Sequence, residues 1–185
     1  MRITAGRLKN RRLLTPKGKA TRPTTEKLRQ AVFNSLQSYL EDSHFLDLFA
    51  GSGAMGLEAL SRGAATATFV EKSQVAIRCI RANITDLQVT SQARLLTIDV
   101  ATALKRLAKE NARFTIIYAD PPYGRQLYSE LLSQLDTTLL LADNGVLLVE
   151  QGEQNGACPS MLHALQLIKK RKVGDSSLEY YVDGR

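Results

Sequence analysis

Gly51-Ser52-Gly53-Ala54-Met55-Gly56 spells G-x-G-x-x-G, and Glu71 stands twenty residues after its first glycine. An apolar run, Phe45–Phe49, precedes the motif, and a helical pattern over Met55–Arg62 follows it. Glycines at this spacing allow a tight strand-to-helix turn and let backbone amides approach a ligand. A carboxylate at the next strand end can accept hydrogen bonds from ribose hydroxyls. Glycines serving only the turn are the bland alternative. With strand, helix and acid all in place, the pattern points to a nucleotide-like cofactor without saying which one.

Two further features shift the reading from a dinucleotide towards S-adenosylmethionine. Asp47 lies inside the strand just before the loop. A carboxylate there repels a diphosphate and attracts the amino group of a methionine moiety. Asp120-Pro121-Pro122-Tyr123 follows the fourth apolar run, at the sheet edge where such folds bind ligands. Two prolines remove two amide donors and fix the carbonyls, leaving a rigid, acceptor-rich shelf that ends in an aromatic ring. An exocyclic base amino group is a poor nucleophile, because its lone pair is delocalised into the ring. Acceptors on its two N–H bonds favour a pyramidal nitrogen and stabilise the charge that develops during methyl attack. Tyr123 is placed to stack on a flipped base. Asp99 is either an acceptor for an adenine amino group or the N-cap of the following helix. Cys79 and Cys158, with His44 and His163, give neither a disulfide framework nor a metal-ligand pattern, so no metal is expected.

The elements that must position these groups alternate along the chain. Strands are expected at Phe45–Phe49, Ala67–Glu71, Arg94–Ile98, Thr115–Ala119 and Gly145–Glu150. Helices are expected at Met55–Arg62, Ser73–Leu87 (N-capped by Ser73), Val100–Lys109 and Tyr128–Leu135. Five short apolar strands alternating with helices indicate an α/β, doubly wound, Rossmann-like parallel sheet. The last two extended segments, Leu165–Val173 and Ser177–Val182, flank Gly174-Asp175 and read as a C-terminal antiparallel β-hairpin with a II′ turn. Leu28, Val32, Leu36 and Tyr39 mark a helix from a Thr24-Thr25 cap to about Leu40.

The net charge of +7 is unevenly spread: ten basic residues face one acid in residues 1–29, against 15 basic and 17 acidic residues thereafter. The chain therefore divides into a basic N-terminal arm, 1–22, and a single catalytic domain, 23–185. Such a layout suits a polyanion, most simply a nucleic acid, with Arg7, Lys9, Arg11, Arg12, Lys17 and Arg22 as candidate phosphate ligands. Arg2-Ile3-Thr4 and Arg12-Leu13-Leu14 could pair as a short ribbon, with bends at Gly6 and Asn10. Lys169–Lys172 either extend the phosphate surface or protect a solvated strand edge. No apolar run is long enough to span a bilayer and no secretory leader is apparent, so a cytoplasmic protein without membrane partners is expected.

Asp47-Leu48-Phe49-Ala50-Gly51-Ser52-Gly53, continuing through Gly56-Leu57-Glu58-Ala59-Leu60-Ser61-Arg62-Gly63-Ala64, resembles the cofactor loop of the RsmD family of bacterial 16S ribosomal RNA guanine-N2 methyltransferases. Arg22-Pro23-Thr24-Thr25-Glu26-Lys27-Leu28-Arg29, then Phe33-Asn34, is similar to that family's N-terminal segment, and Asp120-Pro121-Pro122-Tyr123 to its catalytic tetrapeptide. The resemblance implies a class I methyltransferase fold, a seven-stranded sheet with an antiparallel last strand. It implies methylation of a guanine amino group in 16S rRNA, within a small-subunit assembly particle. Asp47, Gly51, Gly53 and Glu71 would then bind S-adenosylmethionine, with Phe49 and Asp99 as further candidates for it, and Asp120 to Tyr123 would hold the guanine. Asn10 departs from the glycine frequent in the arm's turn, and residues 151–162 leave little room for the usual helix there. A DNA adenine-N6 methyltransferase shares the tetrapeptide but needs a target-reading domain for which 185 residues leave no room. A nicotinamide-dependent oxidoreductase leaves Asp47, the proline shelf and the arm unexplained. A non-catalytic RNA-binding module explains the arm alone.

Overall fold

The computed structural model describes residues 1–16, 26–122, 125–152 and 162–185. Seven strands, buried in the centre and exposed along the β6 edge, build a single sheet: β1 (His44–Leu48), β2 (Thr66–Val70), β3 (Ala93–Leu96), β4 (Phe114–Ala119), β5 (Leu141–Gly152), β6 (Leu165–Val173) and β7 (Ser176–Asp183). Their order is β3-β2-β1-β4-β5-β7-β6. The first five are parallel, and β7 runs antiparallel to both β5 and β6. Strand order reverses between β1 and β4, which opens a crevice at their carboxyl ends. This is the expected doubly wound sheet with its C-terminal hairpin. Val173 pairs with Ser176 across a two-residue turn that begins at Gly174 with φ 61°.

Helices α1 (Glu26–Ser35), α2 (Gln37–Leu40), α3 (Ala54–Ser61) and α4 (Gln74–Asp86) contribute to a core on one face of the sheet, around Val32, Phe33, Leu57 and Ile80. On the other face, α5 (Val100–Lys109) and α6 (Arg125–Thr138) bury Leu104, Leu107, Leu131, Leu132 and Leu135. No helix among the described residues is long and apolar enough to cross a membrane.

Three local features depart from the sequence reading, beside a longer α6 and a β3 that stops at Leu96 rather than Ile98. The first helix breaks at Leu36, whose N–H is shared between the Val32 and Phe33 carbonyls, as in a tightening last turn. Its threonine cap falls outside the described residues. Strand β5 is twice the expected length, because Asp143-Asn144-Gly145 is accommodated by a register shift against β4 rather than a turn. Ser73 occupies the N-cap of α4 without a side-chain cap bond; the Glu71 carboxylate takes the Lys72 and Ser73 amides instead.

The N-terminal ribbon forms as expected, with an Arg2–Arg12 bridge, Ile3 N–H donating to Arg11 C=O, and Asn10 at φ 68°. Residues 1–16 are, however, continuous with the domain core. Ile3, Leu8 and Leu13 are buried in the same cluster as Phe33 and Leu57, each stabilising the docked state by roughly 1.5–3 kcal/mol. Gly6 lies so close to α3 that a Cβ would stand 1.9 Å from the Ser61 carbonyl oxygen.

Candidate active site

Each strand that meets the crevice delivers a carboxylate or a tight turn at its carboxyl end. After β1 the chain turns through Phe49 (φ 62°), Gly51 (φ 57°) and Gly53 (φ 78°) into α3. A bulky residue at φ 62° is uncommon and marks a loop held in place by its surroundings. Gly56 sits where a Cβ would stand 2.3 Å from the Phe69 ring, so the third glycine of the motif lets α3 lie flat on β2. Asp47 is 1% exposed, and its Oδ2 accepts the Gly56 N–H at 2.9 Å. Glu71, just after β2, accepts the Gly51 N–H at 2.8 Å on one oxygen and the Lys72 and Ser73 amides on the other. Glu71 therefore anchors the glycine loop while still facing the crevice. Asp99 accepts the Thr102 amide at 3.0 Å and its hydroxyl at 2.7 Å, so it caps α5 as well as lining the cleft.

Asp120 follows β4, with Pro121 buried and Pro122 exposed beside it. Tyr123 lies outside the described residues, as do Lys17 and Arg22. Below Asp120, the Glu150 carboxylate of β5 accepts the Tyr118 hydroxyl at 2.6 Å and the Ser176 hydroxyl at 2.7 Å, so the hairpin turn is tied to the site. These groups surround one cleft of about 890 Å³. Its acidic lining comprises Asp47, Glu71, Asp99, Asp120, Glu130, Glu150 and Asp175. The apolar lining includes Phe49, Met55, Val70, Ile98, Val100 and Leu131.

Crowded carboxylates set the electrostatics. Burial, followed by repulsion from Glu150 and Asp47, pushes the Asp120 carboxyl up to about 7. Burial also lifts Asp47 to about 7, against the opposing pull of the Gly56 amide and with added repulsion from Glu71. Burial and the neighbouring Glu150 and Asp120 raise the Tyr118 phenol well above its ordinary value. Such a cleft favours a ligand that brings positive charge and disfavours one that brings phosphates.

Of the predicted site residues, Asp47, Phe49, Gly51, Glu71, Asp99, Asp120, Pro121 and Pro122 line this cleft, whereas Gly53 does not line it and serves as the N-cap of α3. Arg7, Lys9, Arg11 and Arg12 are exposed and outside it. Arg7 donates to the Gln92 side chain and Arg11 to the Asp86 carbonyl. Sequence reasoning missed Glu150, whose only signal was an acid inside an apolar strand, and Thr15 and Pro16, which form part of the wall.

A family model described as Conserved hypothetical protein 95 matches residues 1–182. The chain is 34% identical over 181 residues to YlbH of Bacillus subtilis (strain 168), covering 98% of each. It is equally 34% identical over 181 residues to "Ribosomal RNA small subunit methyltransferase D" of Escherichia coli (strain K12), covering 98% of this chain and 89% of that one. The solved structure of yhhF from Escherichia coli superposes with a TM-score of 0.84 at 33% identity, over 99% of this chain and 97% of that one. A match from the N-terminal segment through the last strand, on the same fold, places the chain in the RsmD family, to which ribosomal RNA small subunit methyltransferase D belongs.

Proposed function

We propose that this chain binds S-adenosylmethionine in the acidic cleft and methylates the exocyclic N2 amino group of a guanine in 16S ribosomal RNA, within a small-subunit assembly particle. The observation that carries the reading is the convergence of the glycine loop and the Asp120-Pro121-Pro122 shelf on one cleft walled by carboxylates. The donor set fits this cofactor. Glu71 meets ribose hydroxyls, Asp47 neutralises an ammonium group through the loop, Asp99 accepts from adenine, and Phe49, Ile98 and Val100 supply apolar walls. When bound, the cofactor supplies a methyl group activated by a sulfonium charge.

Every other task falls to the chain itself. Asp120 and the backbone carbonyls of the shelf accept the two N–H bonds of the amino group, turning its lone pair towards the donor and stabilising positive charge on nitrogen. Asp120 does this as a carboxylate, so the reaction needs it deprotonated. Tyr123 stacks on the extruded base. Basic residues of the N-terminal segment, Arg7, Lys9, Arg11, Arg12, Lys17 and Arg22, hold phosphates.

The test is a map of methylated guanines in 16S rRNA, by mass spectrometry, from strains with and without this gene. Loss of one N2-methylguanine, restored by wild-type protein but not by Asp120→Ala, is the expected result. A full set of methylated guanines in the strain lacking the gene would overturn the substrate assignment.

A further inference from the structure

Thr15 and Pro16 belong to the wall of the cleft, and a single side chain ties Leu14, the residue before them, to the glycine loop. Thr15 and Pro16 line the cleft together with Gly51 and Ser52. Asn83, in the last turn of α4, sits between the two strips of backbone and is 1% exposed. Its Oδ1 accepts the Leu14 N–H at 2.8 Å, while its Nδ2 donates to the Leu14 carbonyl and to the Ser52 carbonyl, each at 3.0 Å. The amide thus pairs with both polar groups of one peptide, as a neighbouring strand would, and uses its remaining donor on the loop. Glu71 holds Gly51 from the other side. Two successive residues of the loop are therefore fixed by side chains, one of which also fixes the N-terminal segment.

We propose that Asn83 is a positioning residue that makes residues 14–16 part of the cofactor site, so that cofactor binding and ordering of the N-terminal segment stabilise each other. The inference rests on the reading of the cleft as an S-adenosylmethionine site. A ligand that touches the Gly51–Ser52 backbone and the Thr15–Pro16 wall selects the arrangement that Asn83 holds. By linkage, whatever orders the segment tightens the ligand by the same factor.

Two measurements with S-adenosylhomocysteine as the probe test this. Amide hydrogen exchange of wild-type protein follows the Leu14 N–H with and without saturating probe; exchange should slow by about tenfold when the probe is bound. Calorimetry then compares probe affinity in wild type, Asn83→Ala and Gln92→Ala. Asn83→Ala should bind about tenfold more weakly. Gln92→Ala, which loosens the segment only at Arg7, should bind as wild type does. Unchanged Leu14 exchange in protein that does bind the probe overturns the proposal and leaves the cofactor reading intact. Equal weakening by both variants also overturns it, because the effect would then be general loosening. No binding by the wild type overturns the cofactor reading, and the proposal with it. The exchange measurement needs no variant, so it decides the matter even if Asn83→Ala does not fold.

Discussion

Buried carboxylates in two regions of the molecule, Glu58 on α3 under the N-terminal segment and Asp47, Asp120 and Glu150 in the cleft, are served in opposite ways. Glu58 is fully buried, yet it accepts from Thr4 N–H (2.9 Å), Thr4 hydroxyl (2.6 Å), Ala5 N–H (3.0 Å), Arg29 Nε (3.1 Å) and Arg62 Nε (2.9 Å). Arg29 is equally buried, and its remaining nitrogens reach the Arg2 carbonyl and the Met1 sulfur. In the cleft, Asp47, Asp120 and Glu150 instead face one another, and Asp47 and Asp120 are pushed up to about 7. A buried carboxylate whose acceptor capacity is filled by its own chain and whose charge is matched by buried or half-buried arginines, as Glu58's is, is structural. Carboxylates crowded together leave capacity for a donor or cation that the chain does not provide. Arg29 and Arg62 serve the N-terminal clamp, whereas in the cleft seven carboxylates face two lysines, Lys27 and Lys72.

The largest effect is expected on the satisfied side. Glu58→Ala leaves the Arg29 guanidinium buried without its partner and frees the amides of Thr4 and Ala5. Unfolding in urea should show a loss of about 3–5 kcal/mol. A loss below about 1 kcal/mol would mean that water reaches Arg29 and that the clamp is not what docks the segment.

On the crowded side the sign reverses. Asp120→Asn keeps the shape of the side chain and removes one of three mutually repelling charges, so stability at neutral pH should hold or rise. The turnover number should fall by about a hundredfold or more, since the amide cannot stabilise positive charge as a carboxylate does. Affinity for S-adenosylhomocysteine should change little. A variant that is both unstable and active would place Asp120 among the structural carboxylates.

A pH series sharpens the same contrast. A carboxyl whose folded value is raised above its unfolded one contributes stability that is complete below the unfolded value of 3.8 and is lost as pH rises through about 7. The ligand-free protein should therefore melt at a lower temperature at about pH 8 than at about pH 5.5. A cationic ligand favours the ionised carboxylates, so S-adenosylmethionine should protect more at the higher pH. The rate at low substrate should rise with pH and level off above about 7, while the limb for the saturated enzyme should lie at lower pH. Melting temperatures that rise across this interval would contradict the crowding.

The difference between the two groups also explains what could be read from the sequence. The glycine loop, Asp47, Glu71 and the Asp120 shelf announce themselves because each breaks an apolar run at a strand end, where the alternation of elements already says a ligand binds. Glu58 and Asn83 sit on helices, where polar side chains normally read as a solvent face; the docked segment covers both, together with Arg29 over Glu58 and the Ser52 loop beside Asn83. Ile3, Leu8 and Leu13 recur with neither a helical nor a strand period, so nothing local marks them as core. Arg29 counts towards the basic excess of the first 29 residues, yet it is fully buried on Glu58. Charge tallied along a chain does not distinguish a cation offered to a partner from one consumed inside the fold.

That distinction sets the smallest and most selective prediction, for the RNA surface. Deleting the N-terminal segment would strip Ile3, Leu8 and Leu13 from the core, so single charges must be removed instead. Arg7 and Arg11 already hold the Gln92 side chain and the Asp86 carbonyl, whereas Lys9 and Arg12 are exposed on the same ribbon. Lys169 and Arg171 on β6 offer a rival surface; Lys169 lies 5.4 Å over the Tyr180 ring, and both residues are exposed. Each phosphate contact removed should flatten the plot of log affinity against log salt by about 0.7–0.9. If the ribbon meets the RNA, Lys9→Ala with Arg12→Ala should lower the slope by about 1.4–1.8, and Lys169→Ala with Arg171→Ala should leave it unchanged. Probe affinity should stay at the wild-type value in both double variants, because none of the four side chains reaches the cleft. The opposite result, with only the β6 pair flattening the slope, would move the phosphate track to the hairpin. The N-terminal segment would then serve the cofactor side alone.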